Sequence, residues 1–282
     1  MNMQLDYTIN VRGKLLSLKQ PQVMGILNCT PDSFYAGSRK QTEKEIIDRA
    51  NQIIAEGGSI IDIGAYSTRP GAAEVSEEEE MKRLRFALSL VRKEHPDSII
   101  SIDTYRAKVA QMSVEEYGAD IINDVSEGGL TGIVDTPLEQ TDDVYPEIFR
   151  MMGQLKVPYI LMSVQGNLHD MIKNFSKEVQ QLRDLSVKDI ILDPGFGFGK
   201  DIQANYDILS DMDELRCFEL PILVGVSRKR MIHQLLDISV DEALNGTTIV
   251  NTISLMKGAN ILRVHDVKEA VQAVKIVEQL SK

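Results

Sequence analysis

The chain is poor in cysteine, which occurs twice, has no tryptophan and few aromatic residues, and carries 31 Lys and Arg against 42 Asp and Glu in 282 residues. These shortages exclude several classes of protein. Cys29 and Cys217 are far apart and make no CxxC pair, so neither a thiolate zinc site nor a disulfide framework is indicated, and a reducing compartment fits. The formal charge of −11 argues against a nucleic-acid or anionic-membrane partner, because such partners are held by a basic footprint that displaces counterions. Any anionic substrate must then be met by positive charge gathered locally. No run of about 18 apolar residues, enough to span a bilayer, is found. The stretch MNMQLDYTINVRGKLLSL has no continuous apolar segment of the signal-peptide kind. The expectation is a soluble, cytoplasmic protein. No Gly-, Pro- or Ser-rich linker breaks the composition, so residues 1–282 read as one domain able to bury a sizeable core.

Short runs rich in Ile, Val and Leu recur at 23–28, 60–65, 99–103, 121–125, 159–164, 190–193, 222–227 and 261–266. Between them lie segments of helical periodicity such as TEKEIIDRANQIIAEGG and DVKEAVQAVKIVEQL. Near-continuous apolar strands are those of a parallel sheet covered on both faces. Eight strand-helix units in about 250 residues predict an α/β fold, a (β/α)8 TIM barrel, rather than a doubly wound sheet of five or six strands. Residues 1–22 form a preface, and 126–147 a longer acidic loop after the fourth barrel strand. The acidic run at 77–80 reads as a solvated helix face.

In such a barrel the C-terminal ends of the strands and the loops after them form the active face. Here those ends carry Asn28, Asp62, Asp103, Asn123, Asp193, the trio Ser227, Arg228 and Lys229, and then Arg263 and His265. A lone Asp in that position commonly caps a helix, and Asp103 and Asp266 have that look. Asp62, inside IIDIG, reads as a group bonded to neighbouring strands. The functional case rests on convergence. Asp103, Asn123, Asp193 and Lys229 come from four strands and offer carboxylate acceptors, an amide and a cation, the complement of a flat heterocycle with amino, ring N–H and carbonyl groups along its edge. A two-metal site is the weaker rival, since no histidine accompanies the carboxylates at ligand spacing. Arg263 and His265 alternate on the last strand and so face one side. With Asn28 on the adjoining first strand they make an anion pocket, to which AYSTRPGA adds Thr68 and Arg69, held by Pro70 and Gly71.

The ordered motifs GILNCTPDSF, STRPGA, SIDT, GADIIND, DPGFGFGK, VGVSRK and ILRVHDV resemble those of the dihydropteroate synthase family, over residues 23–267. The resemblance implies a homodimeric barrel that joins 6-hydroxymethyl-7,8-dihydropterin pyrophosphate to p-aminobenzoate with Mg²⁺. Carried over by motif, Asp193 meets the pterin amino group and N3–H, Asn123 the adjacent edge, Asp103 the remaining ring nitrogens, and Lys229 the carbonyl and N5. Arg263 stacks on the ring, while Met162 and Phe198 line its slot. Asn28, His265 and Arg263, with Thr68 and Arg69, take the pyrophosphate, and Asn28 its metal. Asp32 steadies a pterin cation formed in an SN1-like step, with Lys229, Thr68 and Arg69 also in the catalytic set. Phe34 and Pro70 pack the p-aminobenzoate ring; apart from the resemblance, Arg230, where the chain turns from the seventh strand into a helix after Lys229, offers the p-aminobenzoate carboxylate a positive charge. The chain departs from the family pattern at Ala65-Tyr66 (usually Gly-Glu), Met162-Ser163-Val164 (often MHM), Arg230 (often Ser) and Cys29 (usually Val), the last read as a packing change. Two other functions compete: a methyltransferase using methyltetrahydrofolate and a corrinoid protein, which has no need of the TPDSF, STRPG and RVHD elements, and a catalytically silent pterin-binding paralogue.

Overall fold

The computed structural model describes residues 6–29, 39–65, 75–129 and 145–281. A two-stranded antiparallel hairpin comes first, β1 (Thr8–Val11) and β2 (Lys14–Ser17), turning at Arg12 and Gly13, both at positive φ. Eight parallel strands follow: β3 (Gln22–Asn28), β4 (Ile60–Gly64), β5 (Ile99–Asp103), β6 (Ile121–Asp124), β7 (Tyr159–Met162), β8 (Ile190–Asp193), β9 (Leu223–Val224) and β10 (Ile261–Val264). They pair in the order β8-β7-β6-β5-β4-β3-β10-β9, and a bridge from Leu192 to Ile222 joins the two ends into a barrel. Around it run α1 (Arg39–Ala55), α2 (Glu77–Glu94), α3 (Ala107–Tyr117), α4 (Glu147–Leu155), α5 (Leu168–Asp184), α6 (Ile202–Asp211), α7 (Arg230–His233), α8 (Leu244–Met256) and α9 (Val267–Glu278). The predicted TIM barrel is therefore the observed one.

Side chains alternate in and out along each strand, and this period of two builds both the core and the site. The barrel floor is a buried cluster of Met24, Ile60, Ile121, Ile160, Ile191, Leu223 and Ile261. Ile9, Val11 and Leu18 of the hairpin segment join it from below, so the preface plugs the bottom of the barrel. Residues of the other parity, Ile61, Ile63, Ile100, Ile102, Ile122, Leu161, Leu192 and Leu262, pack outward in the larger cluster shared with the helices. Each such side chain contributes about 1.5–3 kcal/mol by leaving water. Two residues above the floor, the inward positions change character to Asp62, Asn123, Asp193 and Arg263. The floor holds the fold, and the layer above it is available for chemistry.

Local signals explain several boundaries. Ser76 Oγ accepts the Glu79 N–H at 3.2 Å and starts α2, while Asn167 and Asp201 accept from Asp170 N and Ala204 N to start α5 and α6. Three readings are corrected. The run at 77–80 is not uniformly solvated: Glu80 is fully buried, accepts the Thr104 hydroxyl at 2.8 Å and pairs with Arg106. Asp103 does not cap a helix, since α3 is entered through Arg106, and Asp266 stands before α9 without a capping bond because its carboxylate takes both Nε and Nη2 of Arg228 at 2.9 Å. The expected strand at 222–227 contracts to two residues, because Lys229 N turns back onto Val226 O and Arg228 adopts φ 53°. Within the loop at 126–147, residues Glu127–Gly129 form a buried 3-10 turn and Glu147 already belongs to α4. No described helix is long and apolar enough to cross a membrane.

Candidate active site

The register of the sheet sets the mouth of the barrel. Asn28 pairs with Gly64, Gly64 with Asp103 and Asp103 with Asn123, so the last residues of β3, β4 and β5 and the penultimate residue of β6 form one lateral row. Met162 pairs with Asp193 on the far side. Gly64 leaves a hollow in that row: a Cβ there would lie 3.6 Å from Asp103 Oδ2 and 3.7 Å from Asn28 Oδ1.

Arg263 crosses the mouth. Its Nε donates to Asp62 Oδ2 at 2.7 Å and its Nη2 to Asp103 Oδ2 at 2.6 Å, which fixes the plane of the guanidinium. Burial works against its charge, but Asp62 and Asp103 outweigh that and hold the pKa above the ordinary arginine value. Asp62 is thus bonded within the barrel as expected, but across it rather than to the strands beside β4: Arg263 on β10 and Asn123 on β6, whose Nδ2 reaches the same oxygen at 3.4 Å, each lie one strand further round. Burial pushes Asp103 up from the usual carboxylate range, and Arg263 restrains it. Asn123 Oδ1 and Asp62 Oδ1 are buried without a hydrogen-bond partner. An acceptor left unmet in this way suits a ligand with N–H groups.

Asp193 and Lys229 face each other across the other half. Asp193 Oδ1 accepts Gly195 N at 2.8 Å; burial raises its pKa, opposed by Lys229, the Gly195 N–H, Arg263 and Lys200. Lys229 donates to Phe196 O, and its Nζ lies 4.6 Å over the Phe198 ring. Burial draws its pKa down to about 7, against the pull of Asp193. Val125, Met162 and Val164 form a small buried cluster with Phe198 packed on it, an apolar wall beside these polar groups. Glycine is required in the turn after β8: a Cβ at Gly195, φ 66°, would come 2.0 Å from Ser163 O, and one at Gly197, φ 82°, 3.1 Å from Lys229 Cδ.

His265 lies one residue past β10, with its N–H donating to Ser227 Oγ at 3.2 Å and its carbonyl accepting Arg49 Nη2 at 2.7 Å. Arg49 also donates to Ile26 O at 3.0 Å, so it ties the ends of β3 and β10 together beneath Asn28 and His265. Arg228 turns away from the mouth to Asp266 and to Val240 O and Asp241 O, a structural role. Arg230 is exposed and opens α7, whose four residues are too few for a developed helix dipole, so its own charge is what it offers an anion. Cys29 is buried with its thiol pushed up to about 12, which fits the packing role. Asp32, Phe34, Thr68, Arg69 and Pro70 lie outside the described residues.

Sequence reading missed three side chains, the buried Lys200 and Glu127 and the half-buried Arg49. Lys200 donates to Ser163 O, Gly195 O and Phe198 O. Glu127 accepts Val164 N at 2.9 Å and the side chains of Gln165 and Asn174. Arg49 sits in an ordinary amphipathic helix. Only Lys200 carried a signal, its place in DPGFGFGK.

The mouth of this parallel barrel pairs an acidic and amide edge with an apolar wall and half-buried cations, and the model of the pterin-binding enzyme family matches residues 24–265; the chain belongs to that family. Within it the chain falls among the dihydropteroate synthases. It is 38% identical to the dihydropteroate synthase of Escherichia coli strain K12 over 269 residues, 95% of this chain and 94% of that one. It is 35% identical to the Streptococcus pyogenes serotype M1 enzyme over 278 residues, with 95% and 98% covered. The Yersinia pestis dihydropteroate synthase in complex with a sulfonamide drug superposes with a TM-score of 0.83 at 36% identity, covering 98% and 99% of the two chains. The Xanthomonas albilineans enzyme with 4-aminobenzoic acid does so at 0.85 and 29%, covering 98% of each.

Proposed function

We propose that the chain joins 6-hydroxymethyl-7,8-dihydropterin pyrophosphate to p-aminobenzoate, giving 7,8-dihydropteroate and pyrophosphate, a step of folate biosynthesis. The observation that carries this reading is the set of Asp193, Asn123 and Lys229 around a slot walled by Met162 and Phe198. The 2-amino group and N3–H of the pterin donate to Asp193, Asn123 meets the next edge, Lys229 donates to the carbonyl and N5, and Asp103 serves the remaining ring nitrogens. Arg263, its plane fixed by Asp62 and Asp103, stacks on the ring and faces the diphosphate with Asn28 and His265.

The C–O bond to the diphosphate breaks first, its electron pair leaving with pyrophosphate; the amine of p-aminobenzoate then attacks the pterin cation through its lone pair, and the new C–N nitrogen loses one proton to water or to the departed pyrophosphate. Charge developing in a closed, water-poor pocket is stabilised by fixed dipoles and carboxylates, a role given to Asp32, with Thr68 and Arg69 on the leaving group. Phe34, Pro70 and Arg230 receive p-aminobenzoate. Mg²⁺ fits the same mouth, because Asn28 Oδ1 sits at the edge of the Gly64 hollow and a magnesium ion needs few protein oxygens when phosphates supply others. When bound, it neutralises charge on the leaving diphosphate. The described residues contain no cluster of three His, Cys, Asp or Glu side chains that would hold a metal alone. A homodimer is proposed through the exposed Ile249, Ile253 and Met256, which share one face of α8, beside Leu235, Leu236 and Val240. The cytoplasm is the proposed location, and residues 1–282 are proposed to work as one domain.

Mass spectrometry of a reaction with pterin pyrophosphate, p-aminobenzoate and Mg²⁺ tests the function. Dihydropteroate and pyrophosphate in equal amounts support it. Pterin binding without turnover identifies a silent paralogue, and methyl transfer from methyltetrahydrofolate identifies the corrinoid-dependent alternative.

A further inference from the structure

We propose that Lys200 is a positioning residue for the pterin: its ammonium ties the end of β7 to the turn after β8 and thereby holds Asp193 and Phe198 at the spacing the ring requires. The inference rests on the pterin slot described above. Lys200 is 9% exposed, and Nζ donates to Ser163 O at 3.0 Å, Gly195 O at 3.0 Å and Phe198 O at 3.1 Å. An ammonium has three hydrogens, and all three are used on backbone.

The three acceptors belong to the two walls of the slot. Ser163 follows β7 next to Met162, and its N–H donates to Asp193 O at 2.8 Å. Gly195 supplies the N–H that orients the Asp193 carboxylate, and Phe198 is the aromatic face under Lys229. The walls touch here, since a Cβ on Gly195 would fall 2.0 Å from Ser163 O. Carbonyl oxygens brought together so closely turn their negative ends toward one another, and a cation among them converts that repulsion into a clamp. Charge on either side favours the cation. Burial draws the Lys200 pKa down to about 8, while Asp193 and Glu127 pull it upward. Glu127 also grips the other side of the same segment through Val164 N and Gln165 Nε2. Because Lys200 spends its donors on the backbone, its effect on the substrate passes through Asp193 and Phe198.

The test compares calorimetric affinities of the native chain, Lys200→Met and Lys200→Arg for 6-hydroxymethylpterin and for inorganic pyrophosphate. Losing one charged anchor behind a hydrogen-bonding site is expected to weaken the pterin in Lys200→Met by about tenfold or more, with pyrophosphate within about twofold. The KM for pterin pyrophosphate should rise with kcat and the p-aminobenzoate KM nearly constant, because a slot of the wrong width is a binding defect. Lys200→Arg, which keeps charge and donors, should recover most of the lost affinity. If Lys200→Met does not fold, Lys200→Gln, which still donates two hydrogen bonds, makes the same comparison. Pterin affinity within about twofold of native in the neutral variant falls short of what losing a clamp requires, and equal losses for pterin and pyrophosphate lack its selectivity; either would overturn the assignment. A native chain that fails to bind pterin would instead refute the pterin slot itself, and this inference with it.

Discussion

Replacing Asp193 by Asn changes one oxygen to an NH₂ group at the place where the pterin edge is read. In the native chain one carboxylate oxygen is committed to Gly195 N at 2.8 Å. The other is left for the ligand, with the charges of Lys229 and Lys200 both acting on the carboxylate. An asparagine can keep the Gly195 bond with its carbonyl, but its amide then points two donors at a ligand edge that itself donates. The lost charged hydrogen bonding is worth about 1.5–3 kcal/mol, and the donors left unmet in a buried site add about 1–3 kcal/mol. Taking about 4 kcal/mol in total, and about 1.4 kcal/mol per factor of ten, the dissociation constant for 6-hydroxymethylpterin should rise about a thousandfold. Stability should change little, because the carboxylate already pays a desolvation penalty that raises its pKa and a neutral amide does not. Calorimetry with the pterin, alongside thermal unfolding by circular dichroism, measures both quantities. An affinity loss below about tenfold in a folded variant, far short of a lost buried charged bond, would refute the reasoning.

Arg263 cannot be tested by truncation, since Arg263→Ala would leave Asp62 and Asp103 buried without their cation, at about 3–5 kcal/mol of stability. Arg263→Lys keeps the charge but not the fork or the stacking plane, and should weaken pterin pyrophosphate more than pterin alone, whereas His265→Ala should weaken pyrophosphate alone. Unchanged pyrophosphate affinity in both variants, read by calorimetry, would dismiss the anion pocket. Arg230→Ser should raise the p-aminobenzoate KM several-fold at low salt, as expected of an exposed charge worth up to about 1 kcal/mol, with a smaller effect at high salt and turnover unchanged. A KM that does not move would return Arg230 to the solvated surface. If the pterin carbonyl prefers the ammonium form of Lys229, binding takes up a proton, so affinity is full below pH 7 and falls as pH rises through about 7, the depressed pKa of Lys229. Calorimetry in buffers of different ionisation enthalpy should find that uptake, and Lys229→Met should abolish the decline.

The parity of the strands was legible from the sequence because it follows from the pleat alone. The alternate residues that read apolar at Ile60, Ile121 and Ile191 read polar two places on, at Asp62, Asn123 and Asp193, and the structure puts both sets inside the barrel. Asp62 was legible as a structural group, but its partner was not: Arg263 lies 201 residues away, and only the pairing of β10 with β3 brings them together. Asp103 and Asp266 looked like helix caps because capping is a local signal, and each was taken instead by a distant arginine. Glu80 hid in an acidic run, where a helix turn of 100° per residue buries one glutamate, leaves Glu77 and Glu79 half-buried and exposes Glu78. Lys200 stood in a quoted motif, yet a lysine that bonds only backbone carbonyls leaves no side-chain partner to notice in the sequence.

The central claim is that the ring of polar side chains above the barrel floor binds a pterin diphosphate. It is tested most directly by a crystal structure of the chain with pterin pyrophosphate bound and p-aminobenzoate omitted. The account predicts the pterin ring between the Met162 and Phe198 wall and Arg263, its amino edge on Asp193 and Asn123, and the diphosphate beside Asn28 and His265. A ring seated elsewhere, or one that turns its amino edge away from Asp193, would contradict it.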